Sequence, residues 1–200
     1  QFSPSVSCVA IACPGIHHAS AADGQIGTRM MRAIQDDPIA AGGGDAPPVD
    51  MLSALFEARG WPHRIVSNEE ISGEVQGSWA KYQLRCVWRQ DDHVLQVICL
   101  PDIRVVADRR AVTHELLALV NEQMWLGHFD VWSEGSVLVY RHGALLGDDG
   151  LLSLAQAQAL IETAVDECDR FYPAFQFVLW GGKEAREALD AALIDAAGEA

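Results

Sequence analysis

From Ala80 to Trp88 the chain alternates: Tyr82, Leu84, Cys86 and Trp88 are apolar or aromatic, with polar Lys81, Gln83 and Arg85 between them. A period of two with one wet face predicts an antiparallel strand covered on one side. Asp91-Asp92 turns the chain into His93–Leu100, which is apolar on both faces and so expected near the centre of a sheet. Ahead of these, segments 63–67 and 70–75 have strand character, with Asn68 near the turn between them. Asp50 opens a short amphipathic helix that places Leu52, Leu55 and Phe56 on one stripe and stops at Gly60.

After Leu100 the period changes. Val112, Leu116, Leu119, Val120 and Met124 predict a helix from Arg109 to Leu126, and Gly127 offers a left-handed C-cap. A hairpin follows, His128–Ser133 and Ser136–His142 around a Glu134-Gly135 turn. Ser153 and Gln156 have capping-box spacing, and Leu154, Ala157, Leu160, Ile161, Ala164, Val165 and Cys168 continue a helix behind them. Pro173 is expected to interrupt it, setting apart an aromatic stretch Phe171–Trp180 that runs to Gly181-Gly182. A last helix, Lys183–Ala196, presents Ala185, Ala188, Leu189, Ala192 and Leu193 for burial. The order αββββαββαα, with short antiparallel links and no βαβ rhythm, predicts an α+β fold: an antiparallel sheet of five or six strands packed by helices.

Residues 49–200 are therefore expected to form a single domain. Residues 1–48 lack sustained periodicity and carry breakers such as Gly42-Gly43-Gly44 and Pro47-Pro48, so a disordered or non-native leader is expected there. Met30-Met31 lies close ahead of the domain, and the first thirty or so residues are expected to be translated upstream sequence or an added, non-native segment.

Composition narrows the function classes. The 28 acidic against 14 basic residues give a net charge of −14, which repels phosphate backbones, and no basic patch is visible for nucleic acid. The five cysteines, Cys8, Cys13, Cys86, Cys99 and Cys168, show neither a disulfide rhythm nor zinc-ligand spacing, which points to a reducing cytoplasm. No run approaches the roughly 18 apolar residues of a membrane span. The Ala-Ile-Ala before Cys13 lacks the charged n-region of a processed signal.

Catalytic patterns do not assemble. His114-Glu115 lacks the second His of a zincin helix, Gly135-Ser136 has no nucleophile elbow around it, and Gly42-Gly43-Gly44 follows no strand. Cys168 sits on an apolar helical stripe, as a core thiol does. No catalytic residue, cofactor or metal is expected.

The second hairpin is the one constellation that stands out. With Glu134-Gly135 as a two-residue loop, Trp132 faces Val137, Val131 faces Leu138, Asp130 faces Val139, Phe129 faces Tyr140 and His128 faces Arg141. Phe129, Val131, Leu138 and Tyr140 then form a core layer. The opposite face carries His128, Asp130, Trp132, Val137, Val139 and Arg141, with a diagonal ion pair open to Asp130 and Arg141. Either a helix covers that face, or Trp132 and Arg141, typical interface anchors, meet a partner or a second copy of the chain. His128 with Asp130 lacks the nucleophile or third ligand that chemistry would need.

Three further blocks carry a resemblance. They are LVNEQMWLGHFDVW (Leu119–Trp132), CDRFYPAFQFVLWGGKEAREALDAAL (Cys168–Leu193) and the Gly77-Ser78-Trp79 approach to Tyr82. In these blocks the chain resembles the YbjN family, associated with bacterial sensory transduction, over about Val49 to Ala200; the segment before Met30 departs from the family pattern. The resemblance implies a fold like that of type III secretion chaperones and a bacterial cytoplasm, and it supplies no catalytic residues. The expected function is a non-enzymatic regulatory or chaperone-like domain that binds another protein or protein segment, with homodimerisation open, and neither nucleic acid nor membrane as partner. The alternative is a small-ligand sensor with a pocket between sheet and helices, lined by Trp88, Trp125 and Tyr140.

Overall fold

Alternation and turn chemistry place six strands where the polar pattern demands one covered face. The computed structural model describes residues 44–198, with side chains through Leu193. Most of the expected leader lies outside them. Within them, Ala46 pairs with Leu152 through both backbone bonds (3.2 and 2.9 Å), so the chain joins the fold just ahead of the expected start at residue 49. The elements are α1 (Pro48–Ala58), β1 (His63–Ser67), β2 (Glu70–Gln76), β3 (Lys81–Arg89), β4 (Val94–Leu100), α2 (Arg110–Asn121), β5 (His128–Trp132), β6 (Val137–Leu145), α3 (Leu154–Leu179) and α4 (Ala185–Gly198). This is the expected order, and the fold is α+β.

The strands form one antiparallel sheet in the order β1-β2-β3-β4-β6-β5. β4 is central, as its double-sided apolar run requires. Inward residues of the strands (Ile71, Tyr82, Leu84, Cys86, Leu95, Val97, Leu138 and Tyr140 among them) meet all four helices in a single core. Cys86, Cys99 and Cys168 are buried there as free thiols. Burial pushes Cys86 up to about 12 and Cys168 also well upward, so these are packing groups and not nucleophiles. No helix of the described residues is long and apolar enough to cross a membrane.

Two helix boundaries differ from expectation by more than two residues, each for an identifiable reason. α2 stops at Asn121 and not at Leu126, because the Asn121 amide turns to the next strand: Phe129 N–H donates to its Oδ1 (2.8 Å) and its Nδ2 donates to Phe129 O (3.1 Å). Gly127 is left-handed (φ 68°), yet it bends the approach to β5 instead of capping α2. α3 opens on the expected Ser153–Gln156 capping box but runs unbroken through Pro173. A proline cannot donate to the carbonyl four residues earlier, here that of Asp169. Trp79 Nε1–H donates to that freed oxygen at 2.9 Å, so the acceptor is satisfied from a hairpin far away in sequence.

The same residue anchors the β2–β3 hairpin through its side chain. The Asp169 carboxylate accepts from Ser78 N–H (2.8 Å), Ser78 Oγ–H (2.8 Å) and Tyr82 O–H (2.5 Å). Burial and the nearby carboxylate both push the Tyr82 hydroxyl upward, which keeps it a donor. Trp79 also stacks on Tyr172, with centroids 6.3 Å apart and planes 4° from parallel. The Gly77-Ser78-Trp79 segment and the Asp169–Pro173 stretch are thus two halves of one structural lock.

Candidate functional site

The β5–β6 hairpin has the register expected from its two-residue turn, from His128 opposite Arg141 to Trp132 opposite Val137. Phe129, Leu138 and Tyr140 are buried and Val131 packs against the core. Phe129 lies against Tyr140, Phe171 and Phe175, with centroid separations of 5.5, 6.1 and 5.3 Å. This layer fixes which way the other face points.

That second face is not covered by a helix of the described residues. The core shared by all four helices contains the inward residues only, and the buried outward residues Ile98 and Val139 stand apart from it. His128 is exposed, while Asp130, Trp132, Val137 and Arg141 are half-buried. Val139 departs from the expectation of a contact residue: it lies opposite Asp130 on β5 and has no exposed surface. The expected diagonal ion pair is also absent. Asp130 directs its carboxylate to the backbone N–H of Val131 (2.7 Å), and Arg141 Nε is buried without a hydrogen-bond partner.

The face continues over the whole sheet, and sequence reasoning did not follow it that far. One register row runs Arg64, Ser72, Arg85, Ile98, Arg141, His128, each directly opposite the next. The polar positions of the β3 alternation were the available signal. Glu70 accepts two bonds from Arg85 (2.8 and 3.2 Å), and Glu74 accepts from Lys81 (2.9 Å) and Gln83 (2.8 Å). These donors hold both carboxyls below the usual carboxylate range. A cleft of about 430 Å³ opens where the face meets the chain leaving β4, lined by Glu74, Lys81, Gln83, Leu100, Asp102, Arg104 and Val137.

The pocket expected between sheet and helices does not form from its named residues. Trp88 and Tyr140 are core side chains, whereas Trp125 is 97% exposed, because the early end of α2 leaves it on a loop. His114 and Glu115 are both exposed on α2. Among the described residues no group of three or more His, Cys, Asp or Glu side chains could hold a metal ion.

Comparison with known proteins gives one family. The model of YbjN, described as "Putative bacterial sensory transduction regulator", matches residues 48–177. No curated protein matches. Among solved structures, the chain is similar to a crystal structure of YbjN from E. coli, described as "a putative transcription regulator", at 10% identity and a TM-score of 0.46. That similarity covers 68% of this chain and 92% of the other.

Proposed function

The chain belongs to the YbjN family, and from that premise we propose that it is a non-enzymatic regulatory domain that binds another protein through the open face of its sheet. The observation that carries this reading is the uncovered face itself. Trp132, Val137 and Arg141 sit there half-buried, with no described helix above them, while the inward residues Phe129, Leu138 and Tyr140 of the same hairpin are packed in the core. A large aromatic ring and a guanidinium next to apolar surface are what interface centres use. The β5–β6 hairpin is rigidly backed by Phe129 and Tyr140, so it presents these groups without an ordering cost on binding.

Trp132→Glu tests the reading. The residue lies outside the core, so the variant should keep the wild-type circular dichroism and melting temperature. The wild-type chain used as bait in its native lysate should retain a stoichiometric partner that the variant loses. Equal recovery by both baits would remove this face from the contact. A variant that unfolds would instead make Trp132 structural, and Val137→Glu on the facing strand then takes its place in the same comparison.

A second reading has a specific observation behind it. The 430 Å³ cleft gathers Lys81, Arg104, Glu74 and Asp102, a size and polarity suited to a small charged ligand. A metabolite that raises the melting temperature of the wild-type protein, and not that of Lys81→Ala, would favour it.

A further inference from the structure

The open face differs in charge from the rest of the molecule. Its strands present five cations outward, Arg64, Lys81, Arg85, Arg89 and Arg141, against three carboxylates, Glu70, Glu74 and Asp130. The whole chain carries −14. A positive face on a strongly negative body is not what solubility alone produces.

The carboxylates of the face are already engaged. Glu70 is held by Arg85, Glu74 by Lys81 and Gln83, and Asp130 by the Val131 N–H, while Arg89 is paired with Asp92 in the turn that follows β3 (2.7 Å). No hydrogen bond or ion pair occupies Arg64 or Arg141, and Arg141 keeps a buried donor unpaired. Unused donor capacity lies at both ends of the row from Arg64 to His128, with Ile98 apolar between Arg85 and Arg141. Six strands at a spacing of about 4.8 Å make that row roughly 24 Å long, the reach of about seven extended residues.

Resting on the reading above, we propose that the occupant of the face is an acidic polypeptide segment laid across the strands, with its carboxylates on Arg64 and Arg141 and its apolar side chains over Trp132 and Val137. A cationic segment would meet Arg64 and Arg141 with no ion-paired carboxylate to offset them, since Lys81, Arg85 and Arg89 already hold Glu74, Glu70 and Asp92. Duplex nucleic acid, with about one charge per 1.7 Å, would bring its dense charge against the acidic body within a Debye length of about 8 Å. A single acidic strand carries less charge and stays within the face. Attraction by the face and repulsion by the body together orient its approach.

The test measures fluorescence anisotropy of the full chain with three fluorescein-labelled probes: a short peptide alternating Glu with Val, the same peptide with Lys for Glu, and a mixed-sequence DNA duplex. The Glu peptide should bind about tenfold more tightly than the Lys peptide, and the Arg64→Glu, Arg141→Glu double variant should weaken it by at least about tenfold. Arg64→Glu alone, on the exposed edge strand, is measured in parallel and should lower the affinity if the double variant melts early. Equal binding of the two peptides, indifference to both variants, or tighter binding of the duplex would each overturn the proposal. Binding of the Lys peptide that Trp132→Glu abolishes would overturn the acidic chemistry while leaving a protein-binding face. Indifference of every probe and of the native partner to Trp132→Glu would remove both.

Discussion

Asp169→Ala is expected to lower the unfolding free energy by about 3 kcal/mol, more than any other single polar truncation in the domain. The carboxylate accepts three hydrogen bonds that tie the β2–β3 hairpin to α3. Bonds to a charged acceptor contribute about 1.5–3 kcal/mol each, but Ser78 is exposed and its donors can turn to water. The Tyr82 hydroxyl cannot do so easily, because its side chain is buried in the core. Most of the loss therefore comes from stranding that one donor. Tyr82→Phe removes the donor together with the bond and should cost less, about 1 kcal/mol, since Asp169 keeps Ser78. Urea denaturation of wild type, both single variants and the double variant gives the coupling, expected at about 1–2 kcal/mol. Additive losses would mean that Asp169 acts on the hairpin without Tyr82.

Gly127→Ala should destabilise to a similar extent, about 3 kcal/mol, through the backbone. Gly127 has φ 68°, a conformation that costs an L-residue about 1–2 kcal/mol, and an added Cβ would lie 2.4 Å from Tyr140 Oη and 2.7 Å from the Arg141 carbonyl oxygen. The carbonyl belongs to a strand paired on both sides and has no room to retreat. Moving Tyr140 would break its bond to Leu126 O (3.1 Å). Gly60→Ala is the control: φ is 67° there and nothing lies within 4 Å, so only the conformational strain of about 1 kcal/mol remains. Matching losses at the two sites would show that the contact with Tyr140 and Arg141 relaxes freely. Because Gly127 introduces the hairpin that bears Trp132 and Arg141, its variant should also bind worse in proportion to its unfolded fraction.

Much of the architecture is legible along the chain because it is written in local terms. The Tyr82–Trp88 alternation fixes a face, Glu134-Gly135 fixes a register, and Ser153 with Gln156 fixes a helix start; each needs only neighbours in sequence. What was misread depends on distant partners. Pro173 looks like a breaker until Trp79 supplies the donor its freed carbonyl needs. Asn121 looks like mid-helix until Phe129 takes its amide. Val139 looks like a contact residue on its own hairpin, yet in the assembled sheet it has no exposed surface. The candidate site was legible as one hairpin face, whereas its extension to Arg64 and Arg85 required the six-strand register. Trp125 and Trp88 cannot share a pocket for the same reason: one follows a helix that ends early, and the other points into the core.

The order of the elements also has a consequence for biosynthesis. Strands β1 to β4 and helix α1 leave the ribosome first, but α3, which packs on β4 and β6, is made only after both. Until it arrives, the inner sides of Leu95, Val97 and Cys99 have no helix above them, and β4 has a free edge that only β6 can close. The nascent chain therefore passes through a stage with both an apolar sheet surface and an unpaired strand, the two features that make partly made chains stick to one another.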